Sequence, residues 1–200
     1  MKRTCRIKYW LVAALMAGGS SCSAQYHPIV TAKVDSVTRA GIFRIVLPPS
    51  FVACCRPDLS DIRIIDGNGR QAPYVLRTDP GDKWNAGYTT IPDPHIVEHD
   101  SNDRHSYYLL QYNDSYRIER LSLVIRHPAL YKRTAEILTA PGPDQQHVAT
   151  ITIDPADSVF SFQPVKAARL LIDVANEDNA PLAISRVATF QSGICLLAYL

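Results

Sequence analysis
An all-β, antiparallel fold follows from three observations on this 200-residue sequence. Apolar and polar residues alternate with a period of two along most of the chain, and no long segment carries the 3.6-residue period of a helix. Short strand-like runs also recur about every ten residues, separated by Gly, Pro, Asn and Asp turn signals. Together they predict a jelly-roll-like β-sandwich over residues 101–200, preceded by a smaller β-domain over 25–100 that ends in a loop-rich connection.

Residues 1–24 have a different character. Lys2, Arg3, Arg6 and Lys8 precede a short apolar run, Trp10 to Ala17, and small residues then lead to Ala24. This is the layout of a secretory signal peptide, too short for a stable membrane span. Two processing routes remain open. Cys22-Ser23-Ala24 before Gln25 fits cleavage after small residues, whereas Gly19-Ser20-Ser21-Cys22 resembles a lipoprotein box, with Gly where a large aliphatic residue belongs, and would place a lipid on Cys22. The chain has 21 Lys+Arg against 19 Asp+Glu; four of the cations and none of the acids lie in the leader, so 17 against 19 remain, a net charge of about −2. The apparent basicity is thus a property of the leader. With no basic stripe and no nucleic-acid motif, nucleic acid is excluded as a partner.

Element by element, Ile29 to Val37 reads as a first strand and Ile42 to Leu47 as a second, with Phe43, Ile45 and Leu47 on one face and Arg44 on the other. Pro48-Pro49 stops it. Ile62 to Asp66 and Gln71 to Arg77 flank Gly67-Asn68-Gly69, a hairpin signal because Gly and Asn tolerate positive φ. From Thr78 to Asp103 Pro, Gly, Asp and His dominate, which predicts a long loop with one irregular strand near Tyr88 to Ile91. Strands resume over Ser106–Tyr112, Ile118–Arg126, Thr134–Leu138, Val148–Ile153, Val159–Phe162, Arg169–Val174 and Leu182–Gln191. Leu121, Leu123 and Ile125 share one face, as do Leu170, Ile172 and Val174, and in the last run Leu182, Ile184, Ala188 and Phe190, with Arg186 a misfit. The apolar end from Gly193 to Leu200 reads as a buried final strand or as the point where a longer relative continues.

Several constellations suggest chemistry and fail on context. Asp66-Gly67-Asn68-Gly69 opens like a calcium loop, but the fifth and twelfth positions, which need oxygen ligands, are Arg70 and Arg77. His95-Ile-Val-Glu-His99 matches the His-x-x-Glu-His pattern of inverted zinc peptidases, with Glu98 as base and His105 as a possible third ligand. Pro92 and Pro94 precede it and no long helix surrounds it, so His95, His99 and His105 are weak metal candidates. No Gly-x-Ser-x-Gly elbow and no phosphate-cradling glycine loop occur. The chain therefore reads as non-catalytic and without a cofactor, a metal-dependent hydrolase being the distant alternative. Beyond the leader three cysteines remain, Cys54, Cys55 and Cys195; either one disulfide joins Cys195 to Cys54 or Cys55, since a ring between neighbours is strained, or all three are small, half-buried apolar residues.

Aromatic side chains are the better lead. Tyr108, Tyr112, Tyr131 and Trp84 are candidate platforms for sugar rings, which pack their C–H faces on aromatics. Tyrosine is also simply favoured in strands.

Tyr116-Arg-Ile-Glu-Arg-Leu-Ser-Leu-Val-Ile125, Tyr131-Lys-Arg-Thr-Ala-Glu-Ile137 and Arg169-Leu-Leu-Ile-Asp-Val-Ala-Asn-Glu-Asp-Asn-Ala-Pro-Leu-Ala-Ile184 are together similar to the strand order of galactose-binding-like sandwiches, the discoidin and carbohydrate-binding-module fold. Gly41-Ile-Phe-Arg-Ile-Val-Leu-Pro48, Asp58-Leu-Ser-Asp-Ile-Arg-Ile-Ile-Asp66 and Pro73-Tyr-Val-Leu76 resemble a family of exported bacterial envelope proteins of unassigned function, whose chains continue to a C-terminal membrane anchor. The first resemblance implies ligand-binding loops at one end of the sandwich, which makes Asn176, Asp178 and Asn179 candidates. The second implies a periplasmic or envelope location, with membrane association if the chain is lipidated or is a shortened form of an anchored protein. The expectation is an exported protein that recognises a glycan or a protein partner through its sandwich; the alternative is a structural component of an envelope complex with no small-molecule ligand.

Overall fold
The computed structural model describes residues 30–34, 37, 39–79, 87–101, 104–139 and 145–200. The leader, Cys22 and Trp84 lie outside these residues. The chain is all-β and antiparallel, as the period-two pattern predicts.

The stretch expected as a first strand is not one: its described residues, 30–34 and 37, join no strand, and Val30, Val34 and Val37 are exposed. Strand β1, Ile42–Leu47, has the predicted bounds, with Phe43, Ile45 and Leu47 turned inward and Ile42, Arg44 and Val46 outward. Pro48 ends it. Pro49 then opens a five-residue helix, α1 (Pro49–Ala53), because a missing N–H costs nothing in a first helical turn. The aspartates that follow are turn makers. Asp58 accepts from the Ser60 N–H and hydroxyl, and both Asp61 carboxylate oxygens accept from the Arg56 N–H. Between them Leu59 holds a left-handed φ of 58° and is buried. The hairpin of β2 (Ile64–Ile65) and β3 (Gln71–Ala72) turns on Asp66, whose Oδ1 accepts from the N–H groups of Asn68 and Arg70 at 2.8 Å, with Gly69 at φ 79°. That carboxylate is committed to the turn, as the failed calcium pattern implied.

Strands β4 (Tyr74–Asp79) and β5 (Tyr88–Thr90) follow. The region read as a loop also contains β6 (His95–Ser101), which pairs in antiparallel register with the next strand, from His95 opposite Gln111 to Ser101 opposite His105. Its prolines precede it and its partner lies on one side only, so an edge strand tolerates the composition that suggested a loop.

The two long strands correct the sequence reading most. β7 (His105–Ile125) is continuous over 21 residues where two strands were expected, and β10 (Val159–Ala175) over 17. They pair with each other, with register shifts between Ser161 and Val165 and between Ala167 and Arg169. Along β7 the buried set passes from Tyr108, Leu110, Tyr116 and Ile118 to Leu121 and Leu123, from even to odd positions. A bulge inserts one unpaired residue and so exchanges the two faces, letting one strand bend around a core. β8 (Arg133–Thr139) and β9 (His147–Ile153) extend the sheet beyond β10, close to their expected bounds.

β11 (Ile184–Tyr199) includes the apolar end of the chain. A register shift between Ile184 and Arg186 moves its inward face to Val187, Thr189 and Gln191, correcting the expected set of Ile184, Ala188 and Phe190. It also resolves the misfit: Arg186 is exposed, 3.7 Å from Asp93.

Two hydrophobic clusters result. The larger gathers Tyr108, Leu110, Ile118, Leu121, Ile137, Ile153, Leu170, Ile172 and Val187 between the curled halves of the sheet. The smaller joins Leu47, Val52, Cys55, Leu59 and Ile62 to Ile194 and Leu196. β11 serves both, pairing with β7 through Ile184–Phe190 and lying between β1 and β4 through Ile194–Ala198. The small N-terminal β-unit therefore takes its middle strand from the end of the chain.

Candidate functional site
The residues singled out in the sequence do not converge. Tyr108 is a core residue, 1% exposed, and its hydroxyl donates to the Leu182 carbonyl at 2.6 Å. Tyr112 lies edge-on to Tyr116 and donates to Thr189 Oγ1 at 3.0 Å. Burial holds its phenol well above the usual range, with the Thr189 bond pulling weakly the other way. Asn176 is buried, and its Nδ2 donates to Ser106 Oγ at 2.7 Å. These three are structural, which corrects their reading as ligand groups. Tyr131 packs half-buried against the larger core. Asp178 and Asn179 sit in an exposed turn in which Glu177 has φ 55° and the Asn179 N–H donates to the Asn176 carbonyl.

The metal candidates are separated by the strand itself. His95 and His99 lie four residues apart on β6, about 13 Å at the extended rise per residue, whereas a shared zinc needs both within about 2.1 Å. The helical geometry assumed by the His-x-x-Glu-His pattern is absent. His105 is engaged elsewhere: its Nδ1 is 2.7 Å from Asp173 Oδ1, and its ring stacks on Tyr107. Among the described residues no group of three potential ligands converges.

Cys54, Cys55 and Cys195 are free thiols. Ile194 and Leu196 pack with Cys55 in the smaller cluster, and alternation along β11 turns Cys195 to the opposite face of its sheet. The Cys55 thiol is pushed up to about 11, first by burial, then by the Asp61 and Cys54 charges, with Lys166 opposing.

What sequence reasoning missed is the outer face of the small sheet β1–β11–β4. Directly opposed residues share a face, and the register sets Ile42 against Tyr199, Arg44 against Leu197, and Val46 against Cys195; across β11, Cys195 meets Arg77 and Leu197 meets Val75. On this face Ile42 is 79% exposed, Tyr199 67%, Val75 62% and Val46 57%. Arg44 and the exposed Arg77 belong to it too. The signal was present in Gly41–Pro48, which alternates apolar residues on both sides of the strand. An open depression of about 470 Å³, lined by Arg63, Gln71, Ala72, Pro73 and Tyr74, lies in the same N-terminal part of the chain. Among the described residues no helix is long and apolar enough to cross a membrane.

No family model and no curated protein matches the chain. Among solved structures it is similar to the CBM32 of AlyQ, in complex with 4,5-unsaturated mannuronic acid, at 13% identity and a TM-score of 0.44; the match covers 52% of this chain and 98% of that one. A likeness of this size bears on neither ligand nor site.

Proposed function
We propose that this is a non-catalytic, exported envelope protein that docks onto a partner protein through the outer face of β1–β11–β4. One observation carries the reading: Ile42, Val46, Val75 and Tyr199 share a single sheet face and are each more than half exposed. Exposed apolar residues gathered on one sheet face, here around the buried Cys195, mark an interaction site more often than chance exposure. The Arg77 guanidinium on the same face favours a partner whose own apolar patch is rimmed by carboxylates. Of the aromatic residues considered as sugar platforms, Tyr108 and Tyr112 serve the interior.

The test is a photo-crosslinking residue at position 75 in intact cells, with position 178 as control. Support is one discrete adduct from position 75 that is lost with Arg77→Glu and regained when a carboxylate of the captured partner is changed to Lys. Equal adducts from both positions, or a homodimer formed through this face in sedimentation, would overturn the reading. Export and envelope location rest on the leader, and intact mass checks them: cleavage before Gln25 gives a soluble form, and an acylated Cys22 an anchored one.

A glycan-binding reading is favoured by the depression at Arg63, Gln71 and Tyr74, which sets an aromatic ring beside amide and guanidinium donors. Saturable binding on a glycan array that Arg63→Ala abolishes supports it; a blank array removes it.

A further inference from the structure
We propose that the junction between α1 and the long strands is a binding site for a small tetrahedral oxyanion, a phosphate or sulfate group. A cavity of about 50 Å³ lies there, lined by Val52, Arg56, Pro57, Leu59, Arg117, Pro164 and Lys166. It has room for about four water-sized atoms, the size of one such group.

Three cations line it and no carboxylate does. Arg117 reaches it from β7 and Lys166 from β10, on adjacent strands whose register sets Lys166 opposite Arg117. Both are held in place by the turn after α1: Arg117 Nη1 donates to the Pro57 carbonyl at 3.3 Å, and Lys166 Nζ donates to the Cys55 carbonyl. Arg56 comes from that turn itself, where Asp61 anchors its backbone N–H. None of the three cations joins an ion pair among the described residues.

Donor capacity is also left over. A guanidinium carries five N–H groups and an ammonium three, so one carbonyl apiece leaves most of them unused. An oxyanion seated among the three would accept charge-assisted hydrogen bonds from this unused capacity. The buried Val52 and Leu59 and the exposed Pro57 and Pro164 complete the lining.

The test is thermal unfolding of the mature protein at constant ionic strength, with chloride exchanged for inorganic phosphate, inorganic sulfate or methyl phosphate. The expected result is a saturable rise in midpoint with phosphate or sulfate. Arg56→Gln, whose exposed side chain holds no carbonyl, should bind the anion about tenfold more weakly with its chloride midpoint unchanged, the effect of losing one charge-assisted hydrogen bond. Methyl phosphate equal to inorganic phosphate marks a site for a phosphate monoester, and methyl phosphate weaker marks one for the free anion; either result supports the proposal. No rise over chloride, or an equal rise in Arg56→Gln, overturns it. Lys166→Met serves as a second variant read by phosphorus NMR titration, where unchanged phosphate binding would equally overturn the site.

Discussion

The two halves of β11 bury different chemistry. From Val187 to Ser192 the strand runs inside the larger core and buries Thr189, Gln191 and Ser192, three polar side chains at 4% exposure or less. From Gly193 to Tyr199 it crosses the small sheet, turns Ile194 and Leu196 inward and leaves Tyr199 in the open beside Ile42. One continuous strand thus buries polar groups inside the larger core and, past Gly193, an apolar run that includes Ile194, Cys195, Leu196 and Ala198, before it opens to solvent at Tyr199. Burial along a strand is therefore set by the layers stacked on it, and a polar side chain caught there is either engaged, as Thr189 is by Tyr112, or left without a partner among the described residues, as Gln191 is.

Four measurements test that contrast. The largest concerns the well-covered core. Ile172 has no exposure, so Ile172→Ala should cost about 2–5 kcal/mol in urea unfolding, through lost transfer energy and the cavity left behind; a cost below about 1 kcal/mol would mean that the sandwich is not packed as described. Next is Gln191, fully buried with both amide atoms unpartnered. Gln191→Leu removes a desolvated amide and should stabilise the fold by about 1–2 kcal/mol. A destabilised variant would show that the amide is engaged and that this half of β11 needs its polar group.

In the small unit, Cys55 sets a pH window. Its folded value is raised from 9.0 to about 11, so between these limits the folded state binds more protons than the unfolded one. Stability should therefore fall as pH rises from 9.0 towards about 11, with the contribution complete below 9.0. Cys55→Val should flatten the decline measured in unfolding titrations over that range. Smallest is the open face: Val75→Ser should change stability by no more than about 0.5 kcal/mol, because the side chain is 62% exposed. A larger loss would mean that the face is covered within the chain, and the docking reading would fail with it.

Much of the fold was legible in local patterns. The bounds of β1, the Asp66 hairpin and the cores of β8 and β9 follow from alternation and turn chemistry over a few residues. The long strands were not, because Asn113-Asp114-Ser115 and Gln163-Pro164 look like turn signals; in the structure they continue as strand, β7 running unbroken past the first group and β10 past the second, where the ladder slips and the faces exchange. β6 escaped notice for a related reason, its pairing with β7 being invisible within its own sequence. The candidate site was less legible still. Tyrosine on a strand reads alike whether its hydroxyl meets a sugar or, as with Tyr108, the carbonyl of a residue 74 positions away.

The all-β class, the hairpin turn after Asp66 and the inward faces of the regular strands were written in the sequence, since each depends on backbone preferences and on alternation among near neighbours; the turn contacts of Asp58 and Asp61 appear only in the fold. Tertiary structure alone decided that the chain's last strand completes the N-terminal sheet, that Ile42, Val46, Val75 and Tyr199 meet on one open face, and that Arg56, Arg117 and Lys166 surround one cavity. These arrangements join residues tens to more than a hundred positions apart. Such contacts form only when distant strands stack in register to bury a common core, and no local pattern records which strands those are.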